Sequence, residues 1–579
     1  MRQDLLYGLR RLAKEPGFTA LAAAVIALAV AANTTIFSIV DRVLLRPVPF
    51  RAPAELVLLW NKTKTLERAR VSAPEYLDWR QQTRLFDRIA AMAGSRVVFT
   101  PGDEPEHLVC TRVTADYFEL LGVPAQIGRT LGPDDDPRSA SAVAVLSDAL
   151  WARRFGRDAG IIGKSIILDG RPVTVVGVMP TKFGFLNTDL WVPLELRPGD
   201  QSRDYHTLIV VARLRSGVSI DRAQAEMSAL AGRLEQEYPR TNAGVGVLVE
   251  QYQKWLVGGQ YEQALWTMFA AVGLVLLIAC VNVANLLLGR STARRREMAM
   301  RAALGAGRGR IMRQLLAETV VLSLVGGVGG VALAAWWVRL LPVLLPPNSL
   351  PLGVTVAVNT TVVTFALALS LLAGILFGLP PAWDAARTDL ISTLKDGARG
   401  ASSGFGGRRF RIGLVVSEVG LSAMLLAGSA LLIRTLANLQ HVDVGFRPER
   451  VLAMQVSLPS VRYGDAGRIR VFFDRALEAV RTQPGVRSAA VATALPLRGP
   501  ALLMHFEAGG RYAANDAERP LAPYQVVSPD YFATMGISLR SGRSFLETDD
   551  ERGLPVAIVN DAFARRFLEG HDPLKTHVR

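Results

Sequence analysis

The chain has 579 residues, half of them hydrophobic, with 66 Lys and Arg against 51 Asp and Glu, and its mean hydropathy of +0.25 is too apolar for an ordinary soluble protein. The formal net charge of +15 does not read as nucleic-acid binding: much of the excess is arginine at the ends of apolar segments, where membrane topology accounts for it, and no nucleic-acid motif is found. Two cysteines, Cys110 and Cys280, imply no disulfide framework, and six scattered histidines leave no metal-ligand spacing.

Residues 1–17 place Leu5, Leu6, Leu9, Leu12 and Ala13 on one helical face opposite Asp4, Arg10, Arg11 and Lys14, the pattern of an interfacial amphipathic helix on the cytoplasmic side. Pro16-Gly17 should end it, and residues 18–40 supply the first span. Ala29-Val30-Ala31 has the form of a signal-peptide cleavage site, but the apolar run continues through Ile36 to Val40, longer than a signal core, and favours a retained span. Residues 41–262 contain no spanning segment and read as a mixed α/β domain. Ser141 to Leu146 is strand-like and Asp148 to Phe155 helical, and Asp169-Gly170 joins Ile166–Leu168 to Val173–Val178 as a two-residue hairpin. Thr207 to Leu214 follows as a strand and Ile220 to Tyr238 as a helix capped by Ser219. Cys110 reads as a small buried residue rather than a reactive thiol.

Residues 265–288 form the second span, 315–341 the third, 358–379 the fourth and 412–433 the fifth. Between the second and third, residues 289–313 are the most basic short loop. Arg290, Arg294, Arg295, Arg296, Arg301, Arg308, Arg310 and Arg313 stand with one acidic residue, Glu297. The loop from 342 to 357 has no Lys or Arg, whereas 381–411 carries Arg387, Lys395, Arg399, Arg408, Arg409 and Arg411. Positive charge on the inside therefore puts the amino terminus and both basic loops in the cytoplasm and residues 41–262 and 434–579 outside it. Arg290, Arg294, Glu297 and Arg301 fall on one helical stripe, so a short charged helix is expected under the membrane, broken by Gly305-Ala306-Gly307. Gly400 to Gly407 reads as a flexible linker between two halves.

The outer segments repeat one another. Val113-Thr-Ala-Asp-Tyr-Phe followed by Gly128-Arg129 recurs as Val527-Ser-Pro-Asp-Tyr-Phe followed by Gly542-Arg543, an offset of 414, and Val143-Ala-Val-Leu-Ser-Asp-Ala-Leu is echoed from Val556 with a one-residue slip. A unit of one span, an outer domain and further spans is duplicated, with the second copy incomplete at Arg579. The fold class expected is an α-helical membrane protein with five predicted transmembrane helices and two mixed α/β extracytoplasmic domains, the second incomplete.

Other motifs carry less. Gly163-Lys164-Ser165 has the ending of a phosphate-binding loop, yet Asp158 stands where its first glycine belongs and strand-like residues follow where a helix should begin. Gly400-Ala-Ser-Ser-Gly404 matches a serine-hydrolase elbow without a strand before it, and no catalytic constellation is found elsewhere. Glu318 and Glu418, inside the third and fifth spans, are candidates for function; pairing or snorkelling near Arg313 and Arg411 is the favoured expectation. Asn282 and Asn285 are the polar residues read as lying deep in the bilayer, available for bonds between helices. Gly326 and Gly330 form a small-xxx-small pair for helix packing, within one half or between halves.

The run from Ala293 to Ala306 resembles the cytoplasmic coupling segment of MacB/FtsX-type ABC-transporter permeases, with Arg294, Arg296, Glu297, Arg301, Gly305 and Ala306 as the matching positions. Together with the duplication and the one-plus-three spans, the chain is similar to the acidobacterial duplicated orphan permeases of that group. The resemblance implies a permease of an inner-membrane efflux or export system. A separate ATPase subunit would use the ATP and no cofactor would be bound directly. It also implies an outer adaptor protein, motion transmitted to the outer domains, and a substrate among hydrophobic drugs, peptides or lipoproteins. The other classes weighed are an FtsX-like membrane regulator of an extracytoplasmic enzyme and a secondary transporter, the latter disfavoured by the lack of a central charge.

Overall fold

The computed structural model describes all residues except 1–13, 47–49, 64–65, 101–104, 136–141, 184–187, 195, 197–201, 204, 304–306, 345–355, 387–404, 457, 459–462, 498–501, 509–519, 551–552 and 579. The expected amphipathic start and the Gly400–Gly404 motif lie outside the described residues. The chain divides into a helical unit, residues 1–47 and 256–441, and an α/β unit, residues 48–255 and 442–579.

The helical unit opens with α1, Pro16–Val40, continued by a π-helical turn over Asp41–Leu45. Pro16 sits at the first helical position, where its missing N–H costs nothing, so it starts this helix after a break at Glu15. In the α/β unit, residues 48–255 build an eleven-stranded sheet. Its strands are β1 (Leu56–Lys62), β2 (Val71–Ser72), β3 (Phe86–Phe99), β4 (Glu106–Val113), β5 (Ile127–Gly128), β6 (Val143–Leu146), β7 (Ser165–Leu168), β8 (Arg171–Val178), β9 (Leu190–Pro193), β10 (His206–Leu214) and β11 (Gly246–Gln251). The main order is β11-β1-β10-β3-β4-β9-β6-β8-β5, with β2 on β10 and β7 bridging β3 and β8. Helices α2 (Ala73–Gln82), α3 (Tyr117–Leu121), α4 (Asp148–Phe155) and α5 (Ile220–Glu237) cover it.

Local chemistry accounts for the turns and caps. Asp169 and Gly170 both have positive φ, 50° and 77°, the turn that matches strand twist between β7 and β8. Ser147 Oγ accepts from Leu150 N at the start of α4, and Ser219 Oγ from Arg222 N at the start of α5. β7 begins at Ser165, so the lysine of the loop-like Gly163-Lys164 leads into a strand and not a helix; its Nζ lies 3.4 Å from Asp158. Leu56, Val57, Leu58 and Leu59 are fully buried because β1 is flanked by β10 and β11 and its faces are covered, each worth about 1.5–3 kcal/mol of transfer free energy. Cys110 is buried in this sheet, and burial pushes its thiol up to about 11, away from reactivity at neutral pH.

The long helices that follow are α7 (Gly259–Ala303), preceded by the short α6 (Tyr252–Val257), then α8 (Arg308–Leu344), α9 (Thr360–Ala386) and α10 (Phe405–Gln440). With α1 they make, among the described residues, five helices long and apolar enough to cross a membrane, over Pro16–Leu45, Glu262–Gly289, Met312–Leu341, Thr360–Leu379 and Ile412–Gln440. The last runs past the expected end at 433, since no Gly or Pro interrupts residues 430–440. α1 packs on α7 and α8, and α8 on α9.

Residues 442–579 carry α11 (Ala466–Arg481), a hairpin of β12 (Leu502–His505) and β13 (Leu521–Tyr524), α12 (Tyr531–Met535) and α13 (Asp561–Phe567). Its local bonds recur at the spacing of the sequence repeat. Arg129 forks onto Asp135 at 2.5 and 2.8 Å while Gly132 N donates to the same carboxylate; Arg543 forks onto Asp549 at 2.6 and 2.7 Å while Leu546 N donates. The hydroxyls of Thr114 and Ser528, also at that spacing, each accept a backbone N–H at 3.0 Å, from Ala91 and from Val491, donors 400 apart.

Candidate functional site

The basic segment after the second apolar stretch is not a separate short helix. α7 runs without interruption for 45 residues, from Gly259 through the apolar stretch to Ala303, so Arg294, Arg296, Glu297 and Arg301 are its last turns. The physical reason is composition: after Gly289, residues 290–303 are Arg, Ala, Met and Glu with one Ser and one Thr, mostly good helix formers, and nothing there stops a helix already under way. Gly305 and Ala306 lie outside the described residues, and α8 begins at Arg308.

Three places among the described residues of the helical unit join helices through polar contacts. The sequence reading of Asn282 and Asn285 as the deep polar residues is incomplete, because Asn33 in α1 is 2% exposed and its Nδ2 donates to Val272 O of α7 at 2.8 Å as well as to Ala29 O. Its signal in the sequence is the run Asn33-Thr34-Thr35, which breaks an otherwise apolar span. At the π-helical turn, buried Asp41 accepts from Arg46 Nε at 2.8 Å and Asn359 Nδ2 at 3.0 Å, while Asn359 Oδ1 accepts Val362 N at the start of α9. That carboxylate ties the end of α1 to the beginning of α9, a long-range pairing that no local pattern announces.

The third place lies on α10, where the Glu418 carboxylate meets the two asparagines of α7; the side chain of Arg411, near which Glu418 was expected to pair, lies outside the described residues. Asn282, with its amide nitrogen turned to the carboxylate, lies 2.5 and 3.2 Å from the two oxygens, and Asn285 Nδ2 lies 3.5 Å from Oε2. Residues 282 and 285 share a face because they are three apart on a helix, which brings two amide donors to one acid. Glu318 is also buried, at 9% exposure, on α8.

Gly326 and Gly330 lie against α1, within one half of the molecule: a Cβ at either would come within 2.8 Å of Ile26 or Val30. Only glycine lets α8 approach α1 that closely. Among the described residues no group of His, Cys, Asp and Glu could hold a metal ion.

Two family models match the chain. Residues 19–230, from α1 into α5, match the MacB-like periplasmic core domain. Residues 269–390, from α7 through the end of α9, match the FtsX-like permease C-terminal model. The chain is 27% identical over 282 residues to the macrolide export ATP-binding/permease protein MacB of Burkholderia pseudomallei (strain 1710b), 48% of this chain and 41% of that protein. It is 31% identical over 272 residues to the pyoverdine export ATP-binding/permease protein PvdT of Pseudomonas savastanoi pv. phaseolicola, 45% of this chain and 38% of that protein. The chain thus spans about two fifths of the length of these export homologues. Among solved structures, the periplasmic region of MacB from Actinobacillus actinomycetemcomitans covers 34% of the chain at 15% identity with a TM-score of 0.27. The extracellular domain of the ABC-type transporter YknZ covers 33% at 18% identity with a TM-score of 0.26. The MacB-like match includes α1 and most of the sheet, and the FtsX-like match includes the segment Arg294–Ala306.

Proposed function

We propose that this chain is the membrane permease of an ABC-type export system worked by mechanical transmission, with ATP hydrolysed by a separate subunit docked on Arg294–Ala306. Its five apolar helices cross the inner membrane with the amino terminus in the cytoplasm, and both α/β domains lie outside, where an outer adaptor protein meets them. The recurring Arg–Asp and Thr/Ser bonds support a duplicated architecture of the orphan-permease kind. The export homologues favour this reading over a non-transporting regulator.

One observation carries the mechanism: the unbroken helix α7. At 1.5 Å per residue its 45 residues extend about 68 Å, more than twice a hydrocarbon core of about 30 Å. A helix whose backbone bonds close on themselves is stiff, so displacement at Glu297 and Arg301 reaches the far end at Gly259 without an intervening hinge. Spans this apolar suit force passed to outer domains rather than passage between helices.

The test is co-purification of the full chain with each ATPase subunit encoded beside it or elsewhere in the same genome. Capture of one ATPase by the native chain, abolished by Glu297→Ala with Arg301→Ala, is the expected result. Equal capture by the variant, or no capture by a well-folded native chain, overturns the assignment.

A further inference from the structure

We infer that Glu418 is the positioning residue that seats α10 on α7, through a clasp of one carboxylate between the amides of Asn282 and Asn285. This rests on the coupling role proposed for α7, because the clasp would tie the helix leading into the second α/β domain to the helix that carries the coupling segment.

The burial of α10 motivates the assignment. Val415, Val416, Val419, Leu426, Leu431 and Leu432 are all between 46% and 71% exposed, whereas Leu414, Glu418, Leu421, Ser422 and Leu425 are half-buried. Those five positions follow the three-and-four spacing of a single helical seam. So α10 meets the rest of the unit along one narrow line, unlike α1, which is buried on several sides by α7 and α8. Apolar contact adds little between helices in lipid, because the tails are as apolar as the side chains, and hydrogen bonds between helices then decide the pairing. An acid at that depth is costly unless partnered. Here the partners are on α7, and Asn285 Oδ1 is buried with no hydrogen-bond partner, so the site has an acceptor left over. An uncharged amide at position 418 therefore finds both donors and an acceptor.

The full chain, with Cys110→Ser and Cys280→Ala, is reconstituted in lipid nanodiscs with a spin label at position 421 or 419, and oxygen accessibility is read by electron paramagnetic resonance. In the native background position 421 should be severalfold less accessible than 419. Glu418→Leu, which keeps apolar bulk, should raise 421 to the level of 419, and Asn282→Leu with Asn285→Leu should do the same. Glu418→Gln should leave 421 shielded. A label at 421 that stays shielded in Glu418→Leu shows that apolar packing alone seats the helix and overturns the clasp. So does a Glu418→Gln chain that behaves like Glu418→Leu, since hydrogen bonding would then be insufficient. No ATPase enters this measurement, so a failed clasp leaves the coupling assignment standing, and failed ATPase capture leaves the clasp standing.

Discussion

The two α/β segments begin alike and end differently. Arg51 N donates to Leu121 O at 3.1 Å and Arg447 N to Met535 O at 2.9 Å, and from those arginines the chains run in step for several residues. In the first domain Leu56, Leu58 and Trp60 are 0–5% exposed; at the same steps of the second, Leu452, Met454 and Val456 are 96%, 74% and 43% exposed. Large apolar residues stand at the same three steps in both, and the difference is the neighbours. β10 and β11 close on β1, whereas among the described residues of 442–579 no strand pairs with Val451–Val456. Turns, caps and the arginine–aspartate fork need only a few residues in sequence and form in both domains. Burial of a strand needs partners from far along the chain, and it distinguishes the domains.

The largest effect expected from this comparison comes from truncating matched apolar residues. Leu58→Ala should destabilise the first domain by about 2–5 kcal/mol, the range for a buried leucine, whereas Met454→Ala should change stability by less than about 0.5 kcal/mol. Hydrogen exchange on the full chain, followed separately for peptides of each domain, reads both. Equal effects would mean that the second strand is buried in solution, and the contrast between domains would fall.

A smaller contrast should come from two matched glycines. Gly128 has a φ of 72°, and a Cβ there would lie 2.2 Å from Val176 O; Gly542 has a φ of 81°, but its added Cβ would meet only the tip of Leu574 at 3.0 Å. Gly542→Ala should cost about 1–2 kcal/mol for the left-handed backbone alone. Gly128→Ala should add the displacement of a strand, for a total above about 3 kcal/mol. Melting of each variant in detergent, with the same exchange analysis, checks the order of the two.

The smallest predicted effect concerns pH and should be shared. Arg543 holds the Asp549 carboxyl down to about 2, helped by the Leu546 N–H, and Arg129 lowers that of Asp135 in the same way. A carboxylate lowered on folding contributes stability fully above its unfolded value, near 3.9, and loses it as pH falls through the folded value. The Asp549 fork should therefore weaken between about pH 4 and pH 2 and the Asp135 fork as pH falls below about 4, and Asp549→Asn should flatten that dependence in the second domain alone. Nuclear magnetic resonance titration of the two aspartates in the full chain gives the check.

What could be read directly from residues was whatever is decided locally. The apolar lengths located five helices, the Asp169-Gly170 pair its turn, Ser219 its cap, and the recurrence of Gly-Arg the matched forks of the two domains, because each depends on neighbours within a few positions. The candidate coupling positions were likewise legible as a charged helical stripe, but the stripe proved to be the end of α7, since propensity continues a helix that tertiary packing has already begun. Distance in sequence hid the remainder. Asn33 reaches Val272, Asp41 reaches Asn359, and Glu418 reaches two asparagines more than 130 positions earlier; no period or motif encodes such meetings. Sequence alone determined which segments are apolar enough to leave water and where the chain turns. Only the tertiary structure decided which helix faces which, because a polar atom removed from water bonds to whatever partner packing brings within reach.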